Sequence, residues 1–181
     1  MDLRTIKTRK AIKEAFIDLL SDTDINKITV TTISERAMIN RKTFYLHYET
    51  IEDLISEFLN EIADEFIEES DKLPPDRPHE DANSLFLRYC ASRPDYIQKI
   101  FCYPPYHELC DILFDKIYYH NLPKDHHYHS YSPEKQNIIH FFYRSATMDI
   151  YRQWIKDNRR MSIDEICELS GHLISHGVSD I

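Results

Sequence analysis

Glycine is almost missing from this chain. Gly171 and Gly177 are the only two in 181 residues, and both lie near the C-terminus. A phosphate-binding loop or a dinucleotide fingerprint needs several glycines at a strand-to-helix turn, so neither can be built here. Sheet-rich folds also use glycine in tight hairpin turns. The shortage points to helices joined through Pro, Asn, Asp and Ser. Long apolar runs are missing too. No stretch of about 18 or more apolar residues occurs, so no transmembrane helix is expected. The opening "MDLRTIKTRKAIKEAF" lacks the continuous apolar core of a secretory signal. A cytoplasmic protein is the expectation. Cys90, Cys102, Cys110 and Cys167 never form a C-x-x-C pair, so buried thiols are expected rather than disulfides or a metal site.

What is present reads as helix almost throughout. Ile12, Ala15, Phe16, Leu19 and Leu20 recur at helical spacing on one face. After the loop "SDTDINK", a short helix is expected over about 30–37, with Thr29 as its N-cap. Asn40 is placed to cap a third short helix over about 41–48. A fourth, over about 51–70, carries Leu54, Ile55, Phe58, Leu59, Ile62 and Phe66 on one face and acids on the other. "DKLPPDRPHED" then connects to helical segments at about 82–92, 95–101 and 106–119. "HNLPKDHHYHSYSPEK" is a second connector. Ser132-Pro133 reads as an N-cap followed by Pro at the first helical position, opening a long helix to about Lys156. "SIDE", Ser162 to Glu165, has capping-box spacing and opens the last helix. The fold class is therefore all-α.

Charge is unevenly spread. The whole chain carries −9, yet residues 1–48 hold nine Lys/Arg against six Asp/Glu, a local +3 that leaves −12 for the rest. A basic head on an acidic body suits an anionic partner for the head alone. The head's most distinctive stretch is "INRKTFYLHYET", residues 39–50. Arg41, Lys42 and Thr43 fall on the first turn of a short helix. Phe44 and Tyr48, four apart, should pack inward on Phe16 and Ile33. Tyr45 and His47 then face outward, where a hydroxyl and an imidazole can meet phosphates. Three short helices with a tight turn between the second and third make a helix-turn-helix. Its last helix would enter a major groove.

Other chemistry is thin. Asp125, His126, His127 and His129 cluster in "DHHYHSY", a spacing that zinc or nickel can use. The segment is a loop without a second ligand cluster, so a solvated loop is the simpler reading, and no metal or cofactor is expected. A metal-dependent enzyme built on this loop is the distant rival. The carboxylate pairs Asp64-Glu65 and Glu68-Glu69 fit a solvated helix face better than acid/base catalysis. No Ser-His-Asp order stands out, and an enzyme is not expected.

Residues 5–55 resemble the N-terminal domain of the TetR family of bacterial transcriptional regulators. The family pattern is "T-V-x-x-I-a-x-x-A", a small-residue turn, "S-x-x-T-f-Y-x-h-F", then "K-x-x-L" opening a helix. This chain reads "ITVTTISERA", "MIN", "RKTFYLHY" and "ETIEDLI". Two positions depart from the pattern. The turn has Met38 where the family usually has Gly, and Ile51 stands where the family has a phosphate-binding Lys.

The resemblance implies a helix-turn-helix domain over 1–48 and a larger helical effector-binding and dimerisation domain over 49–181. It implies a homodimeric regulator of a palindromic double-stranded DNA operator, most simply a ligand-released repressor. The alternative is a regulator acting through a protein partner, as an activator or co-regulator. The implied DNA contacts are Thr29, Arg41, Lys42, Thr43, Tyr45 and His47. A pocket for an unknown small-molecule effector would draw on Phe86, Tyr89, Phe101, Tyr103, Phe114, Tyr118, Phe142 and Tyr143. A dimer interface would use Ile139, Phe142, Ala146, Ile150 and Trp154 of the long helix with Ile166, Leu169 and Leu173 of the last.

Overall fold

The computed structural model describes residues 3–73, 79–122 and 127–177. The described residues form nine α-helices and no strand: α1 Leu3–Asp22, α2 Val30–Arg36, α3 Arg41–Tyr45, α4 Ile51–Ser70, α5 His79–Ser92, α6 Asp95–Phe101, α7 His107–Asn121, α8 Pro133–Lys156 and α9 Ile163–His176. The all-α expectation holds. None of these helices is long and apolar enough to cross a membrane. Asp125 and His126 of the histidine loop lie outside the described residues, while His127 and His129 sit in a short 3-10 turn.

Helix starts follow local chemistry. Thr29 accepts from Thr32 N–H, and the Thr32 hydroxyl accepts from Thr29 N–H, a reciprocal box built from two threonines. Asn40 accepts from Lys42 N–H at 2.9 Å. Thr50 and Asp53 form a similar box at the start of α4, as do Ser162 and Glu165 at the start of α9. Ser132 caps α8 ahead of Pro133. Each such cap is worth about 1 kcal/mol.

The chain divides into two compact units. The first holds residues 1–62 and 94–110. In it α1 packs on α2 and α6, and α2 on α3. Ile12, Phe16, Leu20, Ile33, Phe44, Leu54, Ile55, Ile100 and Phe101 are all but sealed from solvent. Lys99 donates to the carbonyls of Leu20 and Thr23, closing the C-terminal end of α1. The second unit holds residues 63–93 and 111–181. There α5 packs most extensively on α9, and α8 touches both.

The turn between α2 and α3 shows how the chain manages without glycine. Met38 has φ +53°, the left-handed region that glycine usually fills. Met38 N–H donates to the Glu35 carbonyl, and Ile39 N–H to the Ser34 carbonyl. These are the two bonds of a Schellman ending. The same pair of bonds ends α8, where Asn158 and Arg159 take positive φ. Met38 is 92% exposed, so its side chain contributes no burial to offset the strain.

A left-handed non-glycine residue costs about 1–2 kcal/mol, part of which glycine returns through a more flexible unfolded chain. Met38→Gly should therefore stabilise the protein by about 0.5–1 kcal/mol. A urea titration reads this as a higher midpoint at unchanged slope. A lower midpoint would mean that the Met38 side chain holds the turn by itself.

Candidate functional site

Helix α3 is only five residues long, too short to persist without its neighbours. The helix expected over 41–48 ends at Tyr45 because the bonding pattern tightens there. His47 N–H donates to the Phe44 carbonyl, a three-residue turn, and Tyr48 N–H bonds the same oxygen. Phe44 and Tyr48 still share the inner face, 0% and 3% exposed, with ring centroids 5.6 Å apart. The Arg9 guanidinium lies 4.8 Å from the Tyr48 ring centre. Burial pushes the Tyr48 phenol above its ordinary value.

With its inner face anchored, α3 turns Arg41, Lys42 and Tyr45 to solvent, and Thr43 and His47 are half-exposed. Thr29 is exposed at the start of α2, its hydroxyl engaged in the capping box. Much of the head's basic charge is already neutralised within the first unit. Arg9 pairs with Glu57, and Lys13 with Glu57 and Glu61. Arg36 reaches Asp22 at 3.2 Å, and Lys10 reaches Glu14 at 3.7 Å. Lys7, Arg41 and Lys42 make no ion pair among the described residues. Lys7 also lines an open hollow with Arg4, Thr8 and Ile39, so the start of α1 stands beside the turn that leads into α3. The sequence pattern does not single out Arg4 and Lys7, which the structure brings to that hollow. Their spacing of three on the α1 face beside Ala11 is the available signal, and any helix can show it.

The start of α4 carries the opposite charge. Ile51 is half-exposed, and Glu49, Glu52 and Asp53 around it are exposed. Asp53 is held by Thr50 N–H at 2.8 Å. Glu49 and Glu52 flank Ile51 along the chain with negative charge.

The second unit holds a cavity of about 50 Å³, room for a few water molecules. Phe66, Phe86, Phe114, Ile117, Tyr118 and Tyr143 form its apolar wall, and Ala82, Asn83, Asn121, Leu122 and Thr147 complete it. Of the eight aromatics named from sequence, Phe86, Phe114, Tyr118 and Tyr143 line it. Tyr89 instead lies under the Arg93 guanidinium, 4.0 Å from its ring centre. Phe101 and Tyr103 belong to the first unit. Phe142 is 54% exposed on the outer face of α8. The reading from aromatics alone missed Asn83 and Thr147, whose hydroxyl and amide are bonded at 3.0 Å. Their signal is a polar residue at a buried helical position. Burial pushes the Tyr118 phenol up to about 12 and the Tyr143 phenol further still.

On the stripe expected to form a dimer interface, Ile139, Ala146, Ile150, Leu169 and Leu173 are half-exposed. Trp154 and Ile166 are closed within the chain's own second unit at 6% and 5% exposure, with the Trp154 indole N–H on the Met161 carbonyl at 2.8 Å. Ile138 and Phe141 extend the exposed apolar face beside Phe142.

No protein-family model matches the chain. A TetR transcriptional regulator from Streptococcus agalactiae 2603V superposes with a TM-score of 0.70 at 21% identity, covering 94% of this chain and 95% of that one. The chain has the TetR-family fold. Two regulators share sequence with it as well. The uncharacterized HTH-type transcriptional regulator YxbF of Bacillus subtilis is 35% identical over 69 residues, covering 38% of this chain. The HTH-type dhaKLM operon transcriptional activator DhaS of Lactococcus lactis is 33% identical over 99 residues, covering 54% of it. The matched segments span 18% and 51% of those relatives' own lengths. The resemblance to TetR-type transcriptional regulators read from residues 5–55 thus extends to the fold of nearly the whole chain.

The resemblance read from residues 5–55 leads to the expectation that Ile51 takes the place of a phosphate-binding lysine. Ile51→Lys should tighten binding to any duplex and steepen the salt dependence by about one unit of slope. Affinities measured at several salt concentrations check this. An unchanged slope would show that the start of α4 does not face the DNA backbone.

Proposed function

We propose that the chain is a homodimeric DNA-binding transcriptional regulator, and a ligand-responsive repressor rather than an enzyme. The carrying observation is the two-sided α3. Phe44 is 0% exposed on one side, while Arg41, Lys42 and Tyr45 face solvent on the other. Residues 1–48 would be the DNA-binding domain, and 49–181 the effector and dimerisation domain. Arg41 and Lys42 would read base edges or phosphates in the major groove, with Thr43, Tyr45, His47 and Thr29 fixing the register. One such helix reads too few base pairs, so two copies are needed about 34–36 Å apart on a palindrome. The partly exposed stripe of Ile139, Phe142, Ala146, Ile150, Leu169 and Leu173 would supply that dimer. A small molecule in the cavity would shift the pair to a spacing that no longer fits. Phe66 lines the cavity from α4, the same helix that starts at Ile51, so α4 would carry the coupling. Such a regulator works in the cytoplasm.

A second reading, an activator acting with a protein partner, has two observations in its favour. The relative that matches 99 residues is named a transcriptional activator. The acidic surround of Ile51 also weakens the grip on phosphate.

Selection of bound duplexes from a random pool should return a palindrome, and recovery of no sequence preference would remove direct DNA reading. Lys42→Ala should then cost about 1–3 kcal/mol at one position if it reads a base, or flatten the salt slope if it meets phosphate. Sedimentation at micromolar concentration should show a dimer, and Phe142→Glu should split it without unfolding the subunit. A wild-type monomer there would overturn the two-half-site mechanism.

A further inference from the structure

Arg41 and Lys42 turn to solvent, but Arg9 on α1 turns inward. Its side chain is 29% exposed, and its guanidinium meets two other segments of the first unit. The guanidinium carbon lies 4.8 Å from the Tyr48 ring centre, within range of a cation–π contact. The same group donates through Nη2 to Oε2 of Glu57 on α4. The other oxygen of Glu57 pairs with Lys13 at 2.5 Å, and Lys13 also pairs with Glu61 one turn further along α4. Arg9 therefore joins α1, α4 and the residues that follow α3 at one point.

Tyr48 is what gives that point its consequence. Helix α3 has five residues. Its inner face is fixed by Phe44 and Tyr48, 0% and 3% exposed, with ring centroids 5.6 Å apart. Phe44 is inside the helix. Tyr48 lies three residues beyond its end, tied back by its N–H to the Phe44 carbonyl at 3.0 Å. A ring held by apolar packing alone can tilt, whereas a cation over its face gives it a preferred plane. A planar guanidinium can lie on a ring and bond a carboxylate with its edge at the same time. A lysine ammonium is a point charge and serves one of the two.

Resting on the DNA-reading proposal above, we propose that Arg9 is a positioning residue for base reading: it holds α3 in its reading orientation through the Tyr48 ring, Glu57 holds it there, and it meets no phosphate itself. Loss of Arg9 then degrades the choice of sequence and leaves the general attraction to DNA intact. A phosphate contact does the reverse, because it acts on every duplex alike and enters the salt dependence. A residue that only supported folding would lower both affinities by the same factor.

Binding of the full chain to its selected palindrome and to a scrambled duplex of equal length, at several salt concentrations, separates these roles. Arg9→Lys keeps the charge. It should lower affinity for the palindrome by about tenfold and leave the scrambled duplex unaffected. Tyr48→Leu, which removes the ring, should match it, and Tyr48→Phe, which keeps the ring, should bind like the parent. The two losses combined in Arg9→Lys with Tyr48→Leu should not exceed either alone, because both remove the same contact. Lys13→Gln leaves Arg9 on the ring and should keep the ratio of the two affinities. Arg9→Gln should leave the salt slope on the scrambled duplex unchanged, where a lost phosphate contact flattens it by about one unit per head. An unchanged ratio in Arg9→Lys would overturn the proposal. So would equal losses on both duplexes, a flattened slope in Arg9→Gln, or losses that add in the double variant. A parent chain that prefers no duplex defeats the DNA-reading proposal and this one with it. A palindrome preference that survives Arg9→Lys defeats only the role of Arg9.

Discussion

The second unit depends on one buried amide. Asn83 on α5 bonds Thr147 on α8 and Ser170 on α9, and all three side chains are at most 1% exposed. Orphaning any of these polar groups would cost about 1–3 kcal/mol, so the three helices hold one register to keep them paired. The close packing of α5 on α9 and of α8 on both follows that register. So does the cavity, because Asn83 and Thr147 are both part of its wall. The same bonds hold the helices together and shape the hollow beside them. A molecule that engages Asn83 therefore acts on the packing of α5, α8 and α9 directly. That is the physical requirement for a ligand to shift a helical equilibrium: it must interact differently with the two arrangements.

The first unit meets a different constraint, which is the shortness of its helices. Seven residues in α2 and five in α3 form too few hydrogen bonds to offset the entropy of ordering them. Caps at Thr29 and Asn40, the Schellman turn at Met38 and the burial of Ile33 and Phe44 supply what propensity cannot. The outward direction of Arg41, Lys42 and Tyr45 follows from those anchors. Net charge describes this surface poorly. Residues 1–48 carry +3, but four of the nine basic side chains pair with acids inside the first unit. What faces outward is set by which cations lack a local carboxylate.

Much of this was legible because it is local. Thr29, Asn40, Ser132 and Ser162 declare helix starts by chemistry within three residues, and each is a cap in the structure. The inward pair Phe44 and Tyr48 follows from a spacing of four. The end of α3 did not follow, because the tightening at His47 depends on how Tyr48 is drawn inward. The cavity wall was half legible, for a similar reason. Asn83 lies 64 residues from Thr147 and 87 from Ser170, and no periodicity joins them. Aromatic residues in the right region gave four of the lining side chains. Polar residues at buried helical positions, which mark the fixed amide, carry no distinct sequence signature until their partners are known. Phe142 shows the converse. Its spacing fits both a core and an outer stripe, and only its exposure separates the two.

The charge pattern of the head bears on how tightly a regulator of this kind would hold DNA. Each phosphate contact adds about 0.9 to the slope of affinity against salt, and a symmetric dimer counts every loss twice. With Ile51 between Glu49 and Glu52, the start of α4 offers no cation to the backbone. More of the binding free energy would then fall on Arg41 and Lys42 of α3 and on Arg4 and Lys7 near the turn before it. Contacts to base edges are less sensitive to salt than contacts to phosphate, and they discriminate between sequences. A head with few phosphate contacts would thus trade non-specific grip for selectivity. Its occupancy of an operator would depend strongly on holding two heads at one spacing. A modest shift within the helices around Asn83 would then suffice to release it.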